Sequence, residues 1–502
     1  MSTTHRHGTN PTLSETNIRY ILGLKLRQFR RARQMSLKQL SKASGLSVSY
    51  LNEIEKGKKF PKPNKSIELA RVLGVSYDDL HSLQLRGNLA PLSRFLTHPF
   101  FQRFPIEQFG ISPSNLLDSM STHPTRFATL VHTLVRIARR YDLDHEELSR
   151  AALRSHIELH RNYFANLERA SDQYRKEMGW PAGRTPPWDE LAAHLEKKHG
   201  CKVNLSAMAS EPALESVPEL FKPGKKPVLF LNPALDPARR AFYLSREIAF
   251  QITGLRRKDT IEAPIPGSFS PPLEDYHASY LAGCLLIDRK PFLRQIEQAL
   301  AAKTFDPAIF TGWMAQYQVT PSVLMNRLCQ LLPRFSGLEN LFLVRIDRGT
   351  GPFNYQIGRE IHLSQTHAAQ AWGSDEHYCR RWTPIRLLKE LASDRSLAPH
   401  IRISRLTFVD TEQEYLTTSI AYRNPLRGGM LSSVVLGLVM DQRLKRYTRM
   451  WDHKDIECVQ VGETCERCAL KNCDERAAPP TVLDAAEIRK NTEDASLRLL
   501  TG

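Results

Sequence analysis

Residues Ser36–Pro61 read SLKQLSKASGLSVSYLNEIEKGKKFP, and this stretch decides the fold of the N-terminal region. Ser36 is the residue type that caps a helix start, because its hydroxyl accepts from an amide lacking an intrahelical partner. It predicts a helix over Leu37–Ser44, with Leu37, Leu40 and Ala43 on one face. Gly45-Leu46-Ser47 makes a tight turn, and a second helix over Val48–Lys56 stops at Gly57. Upstream, Leu22, Leu26 and Phe29 are spaced four and three apart and predict a helix over Asn17–Gln34. Its other faces carry Lys25, Arg27, Arg30, Arg31 and Arg33. Downstream, Pro61 and Pro63 break the chain before a short helix, Ile67–Leu73, and a last helix begins after Ser76. The apolar set Leu40, Ala43, Leu46, Leu51 and Ile54 is the expected core of this small all-α domain.

Helix, glycine turn, helix is the helix-turn-helix unit, whose second member lies in the DNA major groove. The quoted stretch resembles the Xre/Cro (lambda-repressor) family, with Gln39, Leu40, Ala43, Gly45, Leu46, Ser47, Leu51, Ile54, Glu55, Gly57 and Pro61 at its pattern positions. The resemblance implies binding of double-stranded operator DNA, as a homodimer or higher homo-oligomer on paired half-sites. Ser47, Ser49, Tyr50, Asn52 and Glu53 are short or polar residues on the outer face of the recognition helix and are candidates for base edges. Lys38, Gln39, Lys56 and Lys58 are candidates for phosphates. Glu53 has a second reading, as the residue that orients a neighbouring cation.

A chain of 502 residues is too long for one core and predicts several domains. Its formal net charge is +17, and residues 1–84 hold 15 Lys/Arg against 6 Asp/Glu. A basic end on a milder body is the footprint of a polyanion partner. Met1–Leu13 is polar, without the apolar run of a secretory signal. The longest apolar stretch, near Gly429–Met440, is shorter than the roughly 20 residues of a membrane span. Eight cysteines are too few for a disulfide scaffold, and a cytoplasmic location is expected. The boundaries read as a tail over 1–16, the helix-turn-helix domain over 17–84, and a helical, dimerising connector over 85–170. An α+β domain over 171–335, an α+β C-terminal domain over 336–482 and a tail over 483–502 follow. In the connector, Leu130, Leu134 and Ile137 form one apolar stripe, while Ile157, Tyr163 and Leu167 belong to another region.

In KPVLFLNPALDPARRAFYLSREIAFQI, Lys226–Ile252, a short apolar strand and a Pro/Asp turn precede an amphipathic helix. The segment resembles the ImmA/IrrE family, whose active members carry H-E-x-x-H on that helix to bind zinc. Here the same register reads Arg246-Glu247-Ile248-Ala249-Phe250. Both histidines are gone, and a catalytic zinc needs three protein ligands. His277 is expected near the position of the family's third, acidic ligand, more as a surface or core residue than as a ligand. The chain is therefore expected to be a peptidase-like scaffold without metal ligands there, and no enzyme.

CVQVGETCERCALKNCDERAAPP, Cys458–Pro480, holds Cys465, Cys468 and Cys473 within one loop's reach. Thiolates so spaced suit zinc or an iron–sulfur cluster, and spacing does not separate the two. The whole order of parts, ending in C-x-x-C-x4-C-x-x-R-A-x-P-P, resembles the short-chain fatty acyl-CoA regulator family, which includes regulators of the glyoxylate and methylcitrate pathways. Phe342–Arg348, Cys379-Arg380-Arg381-Trp382 and Tyr415–Arg423 also resemble its elements, although Arg380 stands where the family has proline. The resemblance implies an acyl-CoA effector and a [4Fe–4S] cluster. A fourth thiolate would come from Cys379, with Cys458 as competitor; Cys201, Cys284 and Cys329 are expected in the core. Arg345, Arg423 and Arg427 are among the cations able to meet CoA phosphates, with no local signature that names a ligand pocket. Two other functions remain open: a repressor of phage or antitoxin type without effector, and an ImmA-like metallopeptidase.

Overall fold

The computed structural model describes residues 15–82, 145–255, 270–302, 306–349, 355–363, 376–394, 396–426 and 430–501. The chain divides into two compact units, one with the N-terminal helices and one from Arg154 onward apart from 264–272. Leu130, Leu134, Ile137, Arg427 and most of the expected connector lie outside the described residues.

The first unit holds α1 (Glu15–Ala32), α2 (Leu37–Ser44), α3 (Val48–Glu55), α4 (Pro63–Leu73) and α5 (Tyr77–His81). Ser36 closes a capping box with Gln39, and Gly45 ends α2 at φ +66°, where glycine carries no steric cost. Leu22, Leu26, Leu40, Leu51, Ile54, Leu69, Leu73 and Leu80 form the core. At Gly23 a Cβ would stand 2.6 Å from the Ile54 carbonyl oxygen, so α1 and α3 approach at backbone contact distance. Ala43, expected inside, is exposed; the buried residue is Ser44, whose hydroxyl returns to the Leu40 carbonyl at 2.7 Å. The inward row thus runs from Leu40 to its i+4 neighbour, and a self-satisfied serine is tolerated there. Pro63 starts α4 where a break was expected. A proline at the first helical position gives up an amide that has no partner there anyway. Lys25 and Arg30 are buried rather than solvent-facing. The Lys25 ammonium donates to the Asp79 and Ser82 carbonyls at 2.9 and 2.6 Å, tying α1 to the end of α5. Arg30 grips Glu55 through two bonds of 2.6 and 2.8 Å.

In the second unit, α6 (His145–Leu159), α7 (Ala165–Glu177) and α8 (Trp188–His199) precede a three-stranded sheet of β1 (Lys202–Asn204), β2 (Glu219–Lys222) and β3 (Val228–Leu231), in the order β1-β3-β2. Helices α9 (Pro237–Thr253), α10 (Ser270–Leu286), α11 (Arg289–Ala301), α12 (Ala308–Tyr317) and α13 (Pro321–Leu331) follow. The boundary expected at residue 170 falls inside α7. That helix carries Glu168, which is buried and ion-paired with Arg327 of α13 at 2.6 Å. Ile157, Leu167, Cys201, Cys284 and Cys329 are buried.

A six-stranded sheet completes the unit, in the order β5-β4-β8-β7-β6-β9. Its strands are β4 (Leu341–Arg348), β5 (Tyr355–His362), β6 (His400–Phe408), β7 (Glu414–Arg423), β8 (Leu431–Val439) and β9 (Glu457–Val461), with α14 (Thr383–Ser393) between β5 and β6. All pairings are antiparallel except β6 with β9. The apolar run near Gly429–Met440 is β8, buried at every position, as suits a central strand covered on both faces. α15 (Gln442–Tyr447) and α16 (Thr481–Thr501) end the fold. The expected tail over 483–502 is thus largely helical in the described residues; from Asp484 to Leu500 it is exposed. No helix among the described residues is long and apolar enough to cross a membrane.

Candidate functional site

The first site grows from the start of α3. The Ser47 hydroxyl accepts from the Tyr50 amide at 3.2 Å, which fixes the first turn and leaves Ser47 and Ser49 exposed. Asn52 and Glu53 are half-buried one turn further on. Tyr50 packs on the core, and the Lys65 ammonium lies 4.4 Å from its ring centroid. Glu53 pairs with Lys59 at 2.7 Å, the orienting arrangement its second reading described. Lys38, Lys56 and Lys58 are exposed. Gln39 is exposed too, but its side-chain oxygen accepts from the Ser36 amide at 2.7 Å, leaving its amide group as donor. Three cations were absent from the sequence candidates: Lys59, and Lys62 and Lys65 at the start of α4. The signal was Pro63, since a helix beginning there gathers both lysines beside the end of α3. The arrangement presents short polar side chains on one helix face, rimmed by ammonium groups. Such a surface can read base edges while holding phosphates.

On α9, the position of the first expected zinc histidine is Arg246. It donates to Glu219 at 2.6 Å and to Asp275 at 2.9 Å, with its guanidinium over the Phe250 ring. Asp275 of α10, not His277, is the side chain that meets this position. His277 instead sets its ring edge on Phe164 near His156; burial first, then those histidines and His160, lower its pKa to about 4. Glu247 is fully buried and accepts from Gln251 at 2.7 Å. The register is filled by an ion-pair network and an aromatic ring.

The cysteine site joins two distant loops. Cys379, Cys465, Cys468 and Cys473 line one cavity, together with Arg380, Arg381 and Arg476. The loops are cross-braced: the Cys379 amide donates to Glu463, the Cys465 amide to His377, and Trp382 Nε1 to the Gly462 carbonyl at 2.8 Å. His377 Nδ1 and Glu466 lie 2.7 Å apart, and Arg467 donates twice to Glu376. The Arg476 guanidinium donates to the Cys465 and Cys468 carbonyls at 2.9 and 3.2 Å, wrapping the loop around itself. Ala477 N–H donates to Cys465 Sγ at 3.3 Å. Burial pushes the Cys379 thiol up to about 11, against hydrogen bonds from the Gly462 and Arg381 backbones; Cys465 and Cys468 raise it further. Cys458 is exposed on β9 and does not line the cavity. Among the described residues, no three His, Cys, Asp or Glu side chains stand at single-ion spacing, so the thiols surround the cavity without meeting at one point. Of the candidate arginines, Arg423 donates to the Leu391 carbonyl at 2.8 Å and braces the fold, whereas Arg345 lines a second cavity.

Two family models match this chain: a helix-turn-helix over residues 26–80 and an IrrE N-terminal-like domain over residues 196–328. The HTH-type transcriptional regulator RamB of Mycobacterium tuberculosis is 21% identical over 91% of this chain and 94% of its own length. The HTH-type transcriptional regulator RghRB of Bacillus subtilis is 44% identical over 12% of this chain and 42% of its own. A solved structure titled Mycobacterium tuberculosis transcriptional regulator covers 65% of this chain and 93% of its own, at 18% identity and a TM-score of 0.47. The chain is a DNA-binding transcription regulator. It joins an Xre-type helix-turn-helix to an IrrE-like domain and a further mixed α/β region.

Proposed function

We propose that this regulator belongs to the short-chain fatty acyl-CoA regulator type and acts in the cytoplasm on genes of central carbon metabolism, of the glyoxylate or methylcitrate kind. Ser47, Ser49, Tyr50, Asn52 and Glu53 meet base edges, and Lys38, Gln39, Lys56 and Lys58 hold phosphates. The protein works as a homodimer or higher homo-oligomer, since a paired operator demands two recognition helices. An acyl-CoA effector shifts its affinity for DNA.

Cys379, Cys465, Cys468 and Cys473 would hold a [4Fe–4S] cluster, with zinc as the alternative occupant. The observation that carries this reading is one cavity lined by four cysteines from two loops far apart in sequence. The donor set fits such a group. Four thiolates suit it, the Ala477 amide already donates to a sulfur, and three arginines nearby offset a negative cluster. The cluster would clasp the loops and supply one-electron redox chemistry.

Protein purified without oxygen should carry iron and sulfide near four each per chain, by the composition of such a cluster, with broad visible absorption lost in Cys379→Ser and Cys465→Ser. One zinc without colour would leave the DNA-binding function standing and end the redox role. A Cys458→Ser variant that lost the metal while Cys379→Ser kept it would overturn the ligand set.

A further inference from the structure

Between α9, α10, α13 and the β4–β5 edge of the large sheet lies a cavity of about 210 Å³. Arg239, Arg345 and Arg359 line it, and among the described residues no aspartate or glutamate does. Arg345 and Arg359 are direct cross-strand partners, a placement of like charges that costs a sheet stability. Arg345 has Asp347 at 3.0 Å, but that carboxylate also accepts from Ser432 at 2.6 Å. Arg345 Nε is buried with no hydrogen-bond partner among the described residues. Arg359 lies over the Tyr276 ring at 5.3 Å, a contact that leaves its charge unneutralised. Arg239 is held by Asp236 outside the cavity wall. The first turn of α13 also lines the cavity and adds the positive end of its dipole.

Guanidinium groups crowded this way are stabilised when one anion with several oxygens bridges them. We propose that this cavity binds a phosphoryl group, its oxygens on Arg345 and Arg359 and the adjoining organic part against Phe242 and Tyr280. The volume is below the roughly 300–1,000 Å³ of pockets that enclose a drug-sized ligand, so it takes one end of a larger molecule or a small phosphorylated one. The inference rests on the effector reading only for the source of that group, CoA phosphate or a free phosphorylated metabolite.

The test is calorimetric titration of the full chain with inorganic pyrophosphate, CoA and propionyl-CoA. Arg359→Ala removes one cation from a half-exposed edge strand. Gly283→Leu fills the cavity at a helical position where an added Cβ meets nothing within 4 Å. Melting temperature checks that both variants fold. Pyrophosphate should bind the wild type, weaken about tenfold or more in Arg359→Ala, and be excluded by Gly283→Leu. Competition between pyrophosphate and CoA would identify CoA as the source. Pyrophosphate binding without CoA binding would keep the cavity and remove the acyl-CoA reading. Propionyl-CoA binding equally to wild type and both variants, without pyrophosphate binding, would overturn the cavity and leave the effector reading intact. No binding of any of the three would overturn both.

Discussion

Because the Ser47 hydroxyl accepts from the Tyr50 amide, its remaining lone pair and its proton are presented at a fixed place at the start of α3. Asn52, one turn on, carries both a donor and an acceptor. Asn52→Ala should therefore cost about 1–3 kcal/mol on the operator and almost nothing on unrelated duplex. Lys58 is a solvated charge beside the same helix, and Lys58→Ala should weaken every duplex alike and flatten the salt slope by about one. Fluorescence anisotropy on operator and scrambled duplexes across a salt series separates the two roles. A sequence-selective loss in Lys58→Ala would remove its phosphate role. At the cysteine site the telling residue is Gly462, where a Cβ would stand 2.8 Å from Cys468 Sγ. Gly462→Ala should displace that thiol and lower bound metal per chain; elemental analysis showing full occupancy would refute a ligand role for Cys468.

Elements are held together here by buried ion pairs as well as by apolar packing. Glu168 of α7 meets Arg327 of α13 with both side chains about 1% exposed, and Tyr280 donates a further bond to the carboxylate. Burial alone would raise the Glu168 pKa, but Arg327, Tyr280 and Arg289 outweigh it and the net shift is downward. A depressed carboxylate stabilises the fold above its unfolded pKa, near 4.3, and loses that contribution as pH falls through the lower folded value. Arg327→Met should leave a buried, unpaired carboxylate and cost about 3–5 kcal/mol in urea unfolding at neutral pH. The penalty should shrink below about pH 4, where the stranded acid is protonated; a penalty constant with pH would mean lost packing alone. Sequence reading reached α2 and α3 almost to the residue, because Ser36, Gly45, Ser47 and Gly57 are local signals with local causes. It missed the early start of α4, since it read Pro63 as a breaker, and it placed Lys25 and Arg30 in solvent, since charge says nothing of a distant carbonyl or carboxylate. It named β4, β7 and β8 as segments. Their order in the sheet, and the meeting of Cys379 with a loop some 80 residues later, are long-range facts that spacing does not encode.

At the scale of the whole chain, regulation is a coupling between the DNA-bound state and the effector-bound state. Such coupling must be reciprocal: if propionyl-CoA weakens operator binding by some factor, operator DNA weakens propionyl-CoA binding by the same factor. The basic N-terminal region adds a constraint. Much of its affinity is counterion release, which is insensitive to sequence and falls steeply with salt. If the effector repositions the recognition helices of an oligomer, it should change affinity for the paired operator much more than for a single half-site, at any one salt concentration. If it acts only by placing its own negative charge near DNA, it should weaken operator, half-site and random duplex alike, and high salt should erase the effect. Anisotropy on the three duplexes at two salt concentrations, with and without saturating propionyl-CoA, distinguishes these routes. The expected result is a selective loss on the paired operator that persists at high salt, with Gly283→Leu abolishing it and leaving effector-free operator binding unchanged. An effect equal on all three duplexes would place the coupling in electrostatics and not in the geometry of the assembled protein.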